Sequence, residues 1–532
     1  MFYKIFTSVL LLLISILFIC PILSLISILF IDSASSQWVV STLLPEYILN
    51  TLILIIGVCS ISFIFGVIPA WLTTFFSFPG STILEVALLF PISIPGYIIS
   101  FVYVNTLEFP GPIQSLLREI FQWNKNDYWF PEIKSLGGAI IVMGFSLYPY
   151  VYMLVRANLK NISNSVTIAA TLGYSSLRSL FFVIIPSIRS SIVAGLFLVL
   201  METITDFGTS KFLSIDTFSI GIYRSWFLLH DKYSATVLAV IESTFIAVLI
   251  ILEKSARKNT TCCSIISCNA DYHSKRSINN ILALMCTYTT CILPVLIGFV
   301  FPIIPLIYWS IENGLYDTRF YSIIANSISL SCITALISVI LAVIIAYVAR
   351  KNKVVNYLAC IISIGYAIPS IIIAISILLF LSNISSIVTT YMVEISLIGT
   401  VVALIYSYLF RFFAISFNAI ECGFKKVPDE IELASHTMGH GSISTCVNIH
   451  IPLIKKSILS GFLLVFMDTI KELTATLILR PFNFETASTR IYELVSDERY
   501  REAASFSLII VAIGLISTII LLKLDNQDKT SE

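Results

Sequence analysis

The sequence has little charge for its length. Only 12% of its 532 residues are Asp, Glu, Lys or Arg, whereas 57% are hydrophobic and the mean hydropathy is +0.95. Soluble domains use roughly 45–50% apolar residues, so this composition excludes an ordinary soluble protein and favours a chain that resides in a lipid bilayer. The net charge of +1 gives no overall field that would attract a nucleic acid. We therefore expect no nucleic-acid partner.

The sequence also lacks the common catalytic motifs. It contains no GxxxxGK[ST] phosphate loop, so we expect no nucleotide hydrolysis by this chain itself. No Ser/His/Asp or Cys/His arrangement indicates covalent catalysis. Its 11 cysteines stand mostly singly in apolar stretches, where a thiol behaves as a small hydrophobe. We therefore predict that the protein is not an enzyme and binds no cofactor of its own. We assign no metal site firmly.

Twelve apolar runs have about the length that a helix needs to cross a bilayer, which is about 20 residues. They predict an all-α polytopic membrane protein with about 12 transmembrane helices. Loops rich in Lys and Arg stay on the cytoplasmic side, and the segment from Arg156 to Arg189 carries bases and no acid. This charge pattern predicts that both termini are cytoplasmic. The predicted spans are 5–31, 48–76, 84–106, 136–156, 187–206, 234–252, 281–309, 323–349, 355–382, 391–418, 456–471 and 503–523.

The second half of the chain repeats the first. TLGYSSLRSLFFVIIPSIRSSIVAGLFLVLMETITD aligns without a gap with TMGHGSISTCVNIHIPLIKKSILSGFLLVFMDTIKE, so that Gly173 meets Gly439 and Pro186 meets Pro452. Hydrophobicity alone would not align Gly, Pro, Ser, Met and Thr in one register. Six helices per half bring each half back to its starting side, which predicts two parallel six-helix repeats. The predicted organisation is a first repeat at 1–255, a polar cytoplasmic linker at 256–279 and a second repeat at 280–532.

The aligned loops resemble the cytoplasmic EAA loop of ABC importer permeases, in which Glu-Ala-Ala is followed by a Gly and later by a Pro. In that family each loop forms a rigid knob that docks on one ATPase subunit. The resemblance therefore implies two ABC ATPase subunits, which would hold the ATP. We call residues 166–186 the first EAA-like loop and residues 432–452 the second. The residues expected to couple to the ATPase are Ala169, Gly173, Pro186, Glu432, Ala434, Gly439 and Pro452.

Both loops depart from the family pattern at the acid. Thr167 and Leu433 stand where the pattern has Glu, and Glu432 lies one residue early. The Gly and the Pro are present in both copies. A Gly allows a tight turn and a Pro suits the first position of a helix, so we expect each Pro to begin a membrane helix.

Longer stretches resemble the fused twelve-helix permeases of ferric iron uptake, among them PISIPGYIISFVYVNTL, METITDFGTSKF and MDTIKELTATLILRPFNFETAS. This resemblance implies a permease of the bacterial inner membrane that receives ferric iron from a periplasmic binding protein. Outer loops with Trp123, Trp129 and Trp226 would dock that protein. Two alternatives stay open: the same class with thiamine or another small solute as cargo, and a stand-alone ion-coupled secondary transporter.

Four acids lie near the ends of the fifth and eleventh predicted helices, two in each repeat. Carboxylates at membrane depth are often functional, and hard oxygen ligands suit a hard cation such as ferric iron. The alternative is that these acids cap the membrane interface or pair with Lys211 and Lys471. The candidate translocation residues are Glu202, Asp206, Asp468 and Glu472.

A group of histidines in the second EAA-like loop could suggest a metal site. Glu432, His436 and His440 recur at four-residue spacing, and His450 follows. The aligned residues of the first half are poor metal ligands. We therefore interpret this pattern as a solvated helix face.

Pro95 in the third apolar run of the first repeat pairs with Pro369 in the third run of the second repeat. A Pro in a membrane helix frees a backbone carbonyl, which must be satisfied by neighbouring helices or line a cavity. The sequence leaves open whether these positions are structural bends or parts of a gate.

Overall fold

The computed structural model describes most of the chain. The linker predicted at 256–279 lies outside the described residues except at its two ends. Ala169 and Gly173 of the first EAA-like loop also lie outside them. The described residues are 16, 18–30, 42–124, 126–162, 171, 174–258, 276–278, 280–313, 318–391 and 398–527.

Long apolar helices dominate the described part of the chain. Each of the twelve predicted runs contains helix there, which confirms the all-α polytopic membrane class. The seven helices that by themselves have the length and hydropathy of a membrane span are Leu44–Phe75, Leu136–Lys160, Lys232–Glu253, Ile281–Glu312, Phe320–Arg350, Val401–Lys425 and Tyr500–Leu524.

Three further apolar segments are bent, and two are short. If each bent pair is counted as one span, up to 10 spans are found among the described residues. The total of twelve crossings remains a prediction. The bent pairs are Ser81–Ser93 with Gly96–Phe121 (89°), Leu180–Ser187 with Arg189–Thr205 (68°) and Ser442–Leu453 with Lys455–Lys471 (76°), and the short apolar helices are Phe18–Phe30 and Ser370–Ser386.

Short helices connect the spans. One two-residue parallel strand pair, Phe76–Ser77 with Arg276–Ser277, also occurs in the described part. The short helices are Pro112–Phe121, Gly208–Phe212, Phe218–Tyr223, Lys353–Ile362, Asp429–Thr437, Thr474–Leu479 and Ala487–Ser496.

Hydroxyl caps start the fourth helix of each repeat. The Ser135 side chain accepts from the Gly138 N–H, and the Thr400 side chain accepts from the Ala403 N–H. Such a cap satisfies one of the backbone donors that a helix leaves open at its N-terminus. The caps give a common origin from which positions in the two helices can be compared.

The chain forms two compact units that do not coincide with the two repeats. One unit contains the described residues within 1–36, 225–239 and 313–532, and the other those within 37–224 and 240–312. The first helix of each repeat is thus grouped with the other repeat.

Direct contacts support this exchange within each unit. The Phe18 ring lies 5.0 Å from the Phe410 ring, so the first helix of the first repeat packs on the second repeat. The Tyr288 hydroxyl donates to the Pro79 carbonyl oxygen at 2.7 Å, so the first helix of the second repeat packs on the first. Apolar helices have no strong sequence signal for which neighbour they choose.

Pro95 and Pro369 lie at breaks between helices. Each follows a 3₁₀ turn and an extended residue, and a new α-helix begins directly after it. A Pro fits this place because it has no N–H to leave unsatisfied and its φ already suits a helix. The turns are Phe90–Ser93 and Ser363–Ala367, and the helices that follow are Gly96–Leu107 and Ser370–Tyr391.

Candidate functional site

The second EAA-like loop is a helix, a tight turn and a bent helix. Helix Asp429–Thr437 begins after Pro428 and has three acids in its first turn. Negative charges at this end interact favourably with the helix dipole. It ends in a Schellman motif: the Gly439 N–H donates to the His436 carbonyl at 3.1 Å and the His440 N–H donates to the Ser435 carbonyl at 3.1 Å.

Gly439 adopts the left-handed conformation that this ending requires, with φ +85°. No atom lies within 4 Å of the place where a Cβ would stand. The requirement for Gly is therefore conformational and not a matter of space. The turn that the sequence predicts at Gly439 is confirmed, whereas its counterpart Gly173 lies outside the described residues.

Neither loop proline begins a membrane helix, so that prediction is wrong. Pro186 and Pro452 lie in the last turn before a bend, and the bend itself falls at Ile188 and at Ile454. The membrane helices begin one residue later, at Arg189 and Lys455. A five-residue π segment precedes each proline, so the chain widens before it turns. Both repeats share this geometry.

Glu432 points into the protein. It is 8% exposed, and its Oε1 lies 3.3 Å from the Tyr347 hydroxyl. Its Oε2 lies 3.9 Å from Nε2 of His450, whose side chain is fully buried. The interpretation of Glu432 and His450 as a solvated face is therefore wrong, although His436 and His440 are exposed. The helix turns every 3.6 residues, and tertiary contact decides which face is covered.

Arg350 holds the start of the same helix. Its guanidinium pairs with Asp429, with Nε 3.0 Å from Oδ1, and donates to the Val427 carbonyl at 2.8 Å. It also reaches the Phe424 carbonyl at the end of helix Val401–Lys425. One cation thus joins a helix C-terminus, whose dipole favours positive charge, to the first acid of the loop helix.

Three large apolar side chains of the second EAA-like loop are exposed. Leu433 is 65% exposed, Met438 78% and Ile443 82%. Ala434 is also exposed. Exposed apolar side chains on a loop are candidates for a protein contact.

The candidate translocation acids occupy matching places. Asp206 follows helix Arg189–Thr205 and Glu472 follows helix Lys455–Lys471. Asp206 Oδ1 accepts from the Thr209 N–H at 2.8 Å, and Glu472 Oε1 accepts from the Ala475 N–H at 3.2 Å. Each acid therefore caps the short helix that follows it. Glu202 and Asp468 lie one turn earlier and are half-buried.

Glu472 also belongs to a buried ion pair. Its Oε2 lies 3.0 Å from Arg411 NH1, and the side chains are 8% and 10% exposed. The cation that the structure pairs with Glu472 is therefore Arg411. Arg411 was not predicted from the sequence, although a signal was available: a lone Arg inside an apolar helix needs an anionic partner.

Asp206 lies beside the proline break of the first repeat. A Cβ at Gly96 would stand 3.5 Å from Asp206 Oδ2 and 2.6 Å from the Thr209 hydroxyl. Only Gly lets helix Gly96–Leu107 approach this turn so closely. The break, the acid and the short capped helix therefore form one local structure.

Glu242 was not predicted from the sequence. This residue lies in helix Lys232–Lys258 and is fully buried, and neither carboxyl oxygen has a hydrogen-bond partner in the described part of the chain. The Ser219 hydroxyl faces it but donates to the Ile204 carbonyl at 3.2 Å. A single acid within an apolar run was the available signal.

The structure has no resident metal site among the residues it describes. No group of three or more His, Cys, Asp or Glu side chains in the described ranges could hold an ion.

The outer tryptophans differ from the prediction in one case: Trp129 is 87% exposed and Trp123 is 38% exposed, but Trp226 is 7% exposed. Trp226 is buried, so its predicted role in docking is wrong.

Comparison with known proteins places this arrangement in a family. The family model for the binding-protein-dependent transport system inner membrane component matches residues 338–529, which include the second EAA-like loop. The Fe(3+)-transport system permease protein FbpB 2 of Haemophilus influenzae is 23% identical over 498 residues, covering 90% of each chain. The ferric transport system permease protein FbpB of Actinobacillus pleuropneumoniae is 22% identical and covers 94% of this chain and 75% of its own.

Another relative has a higher sequence identity over a shorter matched segment. The molybdate/tungstate transport system permease protein WtpB of Methanocaldococcus jannaschii is 30% identical over 201 residues, which are 37% of this chain and 79% of the relative. Together with the two bent loop segments and the apolar spans, these similarities confirm the resemblance to transport permeases. The chain therefore belongs to the family of binding-protein-dependent transport system inner membrane components.

Proposed function

We propose that this chain is the permease subunit of an ABC importer that translocates ferric iron. The extent of similarity carries this choice of cargo. The Fe(3+)-transport relative matches 90% of this chain, whereas the molybdate/tungstate relative matches 37% and the sulfate transport system permease protein CysT of Salmonella typhimurium matches 28%. A match of that length spans both repeats and all four candidate acids.

Two ABC ATPase subunits would drive transport, one at each EAA-like loop. The exposed apolar residues Leu433, Met438 and Ile443 support a docking surface on the second loop. The chain has no phosphate loop, so ATP would be bound and hydrolysed by these partners. Closure of the ATPase pair would push both bent segments. The translocation path would then alternate between an inward-open and an outward-open state.

The loops would lie on the cytoplasmic side, with both termini, because their neighbourhoods are rich in Lys and Arg. The opposite side would receive iron from a periplasmic binding protein. Trp129 and Trp123 support a docking surface there, because exposed tryptophans are frequent anchors of protein contacts. In a chain without native cysteines, a cysteine at Gly111 should react with an impermeant reagent from outside, and one at Leu433 should not.

Glu202, Asp206, Asp468 and Glu472 are proposed to contribute to the iron path. Carboxylate oxygens are hard ligands, which suits a hard cation in transit. Asp206 and Glu472 each cap a short helix. Each short helix packs on the helix that begins after a proline break, where the backbone can rearrange. Ferric iron is the cargo here and not a resident cofactor.

Reconstitution tests this function. The chain is placed in liposomes with an ABC ATPase and a ferric-iron-binding protein, and uptake of radioactive iron, molybdate, sulfate and thiamine is measured with and without ATP. We expect ATP-dependent uptake of iron alone. Uptake of another solute instead would replace the cargo, and uptake by the chain without any ATPase would favour the ion-coupled secondary transporter.

A further inference from the structure

Tyr347, Glu432 and His450, here called the Glu432 cluster, join both arms of the second EAA-like loop to a membrane helix. Tyr347 lies near the end of helix Phe320–Lys351. Its hydroxyl is 3.3 Å from Glu432 Oε1 in the first arm and 3.0 Å from the Ser442 carbonyl oxygen in the second arm. The single hydroxyl hydrogen therefore serves two acceptors that lie on opposite sides of the Gly439 turn.

His450 completes the cluster from the second arm. Its Nε2 lies 3.9 Å from Glu432 Oε2, and its side chain is fully buried. The ring packs against two aromatic rings, with its centroid 5.6 Å from that of Tyr347 and 5.6 Å from that of Phe424. A second hydroxyl pair, Ser435 with Thr445 at 2.8 Å, links the two arms beside it.

Burial makes this arrangement rigid. A buried carboxylate that loses a hydrogen-bond donor inside a protein is destabilised. If the loop moved away from helix Phe320–Lys351, it would separate Glu432 from the Tyr347 hydroxyl and the His450 ring from the Tyr347 ring that packs on it. The loop and the helix are therefore expected to move as one body.

The first repeat has no such residues at the aligned positions. Asn50 and Asn326 align at an offset of 276, which places Trp71 opposite Tyr347. In the register of the loops, Val166 and Ile184 stand opposite Glu432 and His450. None of these three side chains can reproduce a carboxylate–hydroxyl–imidazole cluster.

We propose that the Glu432 cluster is a positioning device that couples ATPase movement to the membrane helices through the second repeat. The proposal rests on the proposed function, because it assumes that an ATPase docks on the outward surface of this loop. Its three residues do not contact the cargo. They keep the loop in register with helix Phe320–Lys351 while the exposed apolar surface is pushed.

Tyr347→Phe tests the proposal with the least change in shape. In liposomes with the ATPase and the binding protein, iron taken up per ATP hydrolysed should fall at least about threefold, on the scale of one lost hydrogen bond. Hydrogen exchange of residues 429–450 should become faster. A purely structural role would lower the amount of inserted protein and leave uptake per ATP unchanged.

A double-mutant cycle then asks whether the cluster acts as one unit. Glu432→Gln alone should lower uptake per ATP, and Tyr347→Phe with Glu432→Gln should be little worse than the more severe single variant, because residues of one network are not additive. Multiplying effects would mean two independent sites and would overturn the proposal.

Trp71→Phe is the matched control in the first repeat, since it changes packing at the aligned position without removing a cluster residue. It should keep uptake per ATP near that of the parent. Equal losses in Trp71→Phe and Tyr347→Phe would also overturn the proposal. Absence of ATP-dependent uptake in the unaltered chain would instead contradict the proposed function, so the two failures are distinguishable.

Discussion

The fourth helix of the first repeat has Ser146 where the second repeat has Arg411. Both residues stand the same number of positions after a hydroxyl cap, Ser135 or Thr400, and both are buried. Arg411 reaches Glu472, whereas the acid aligned with Glu472 is Asp206. The same backbone site thus carries an ion pair in one repeat and a hydroxyl in the other.

A similar exchange occurs in the last helix of each repeat. Ala235, Ala239 and Glu242 are buried at 1%, 1% and 0%, and the residues with the same burial pattern in helix Tyr500–Gln527 are Ala503, Ser507 and Ile510, each 0% exposed. Glu242 therefore takes the place of an isoleucine. Duplication has kept the turns and helix breaks, and the buried polar groups have diverged.

The largest effect should come from the buried pair. Arg411→Met leaves the Glu472 carboxylate without its cation, so the free energy of unfolding should fall by about 3–5 kcal/mol. Thermal unfolding of the purified protein in detergent measures this loss. Arg411→Met with Glu472→Met should recover most of it, and Ser146→Ala should cost no more than about 1 kcal/mol. Equal costs at Ser146 and Arg411 would contradict the comparison.

Glu242→Ile makes the first repeat like the second and should stabilise the protein. Removing a buried polar group that lacks hydrogen bonds is worth about 1–3 kcal/mol in proteins. We also expect uptake per molecule to fall, because acids retained at membrane depth are usually functional. Glu242→Gln separates polarity from charge. A variant that is more stable and transports normally would show that the acid is dispensable.

Gly439 offers a test of backbone conformation in the second EAA-like loop. Gly439→Val forces a branched residue into a left-handed conformation, at a cost of about 1–2 kcal/mol, and should lower uptake per ATP while insertion continues. Gly441→Ala is the matched control, since φ is −72° there and no atom lies within 4 Å of its Cβ. Equal uptake in both variants would contradict a conformational role for Gly439.

Asp206→Asn should have the smallest effect on stability. Asn caps a helix about as well as Asp, so the free energy of unfolding should change by less than about 0.5 kcal/mol, while iron uptake per molecule should fall if the charge serves the path. Glu472→Gln should in contrast lose stability, because Arg411 loses its buried ion pair with Glu472. Unchanged uptake in Asp206→Asn would remove this acid from the path.

Several features could be predicted from particular residues. The apolar runs predicted the helices, and the aligned Gly and Pro predicted two similar loops with a turn at Gly439. The facing of side chains could not be predicted in the same way. Glu432 was expected in solvent and Trp226 on an outer surface, but both are buried. In a helix one residue of sequence is 100° of rotation, and the neighbouring helices decide which side is covered.

The sequence by itself determined that the chain lies in a bilayer and crosses it as helices, because bilayer thickness and backbone hydrogen bonding allow few alternatives for long apolar runs. It also determined the duplication, through the aligned Gly and Pro residues. Tertiary structure decided which helices became neighbours. It placed the first helix of each repeat on the other repeat, joined Arg411 to Glu472 and closed the Glu432 cluster across the Gly439 turn. These choices depend on side-chain packing between distant segments, and lipid-facing hydrophobicity carries no information about it.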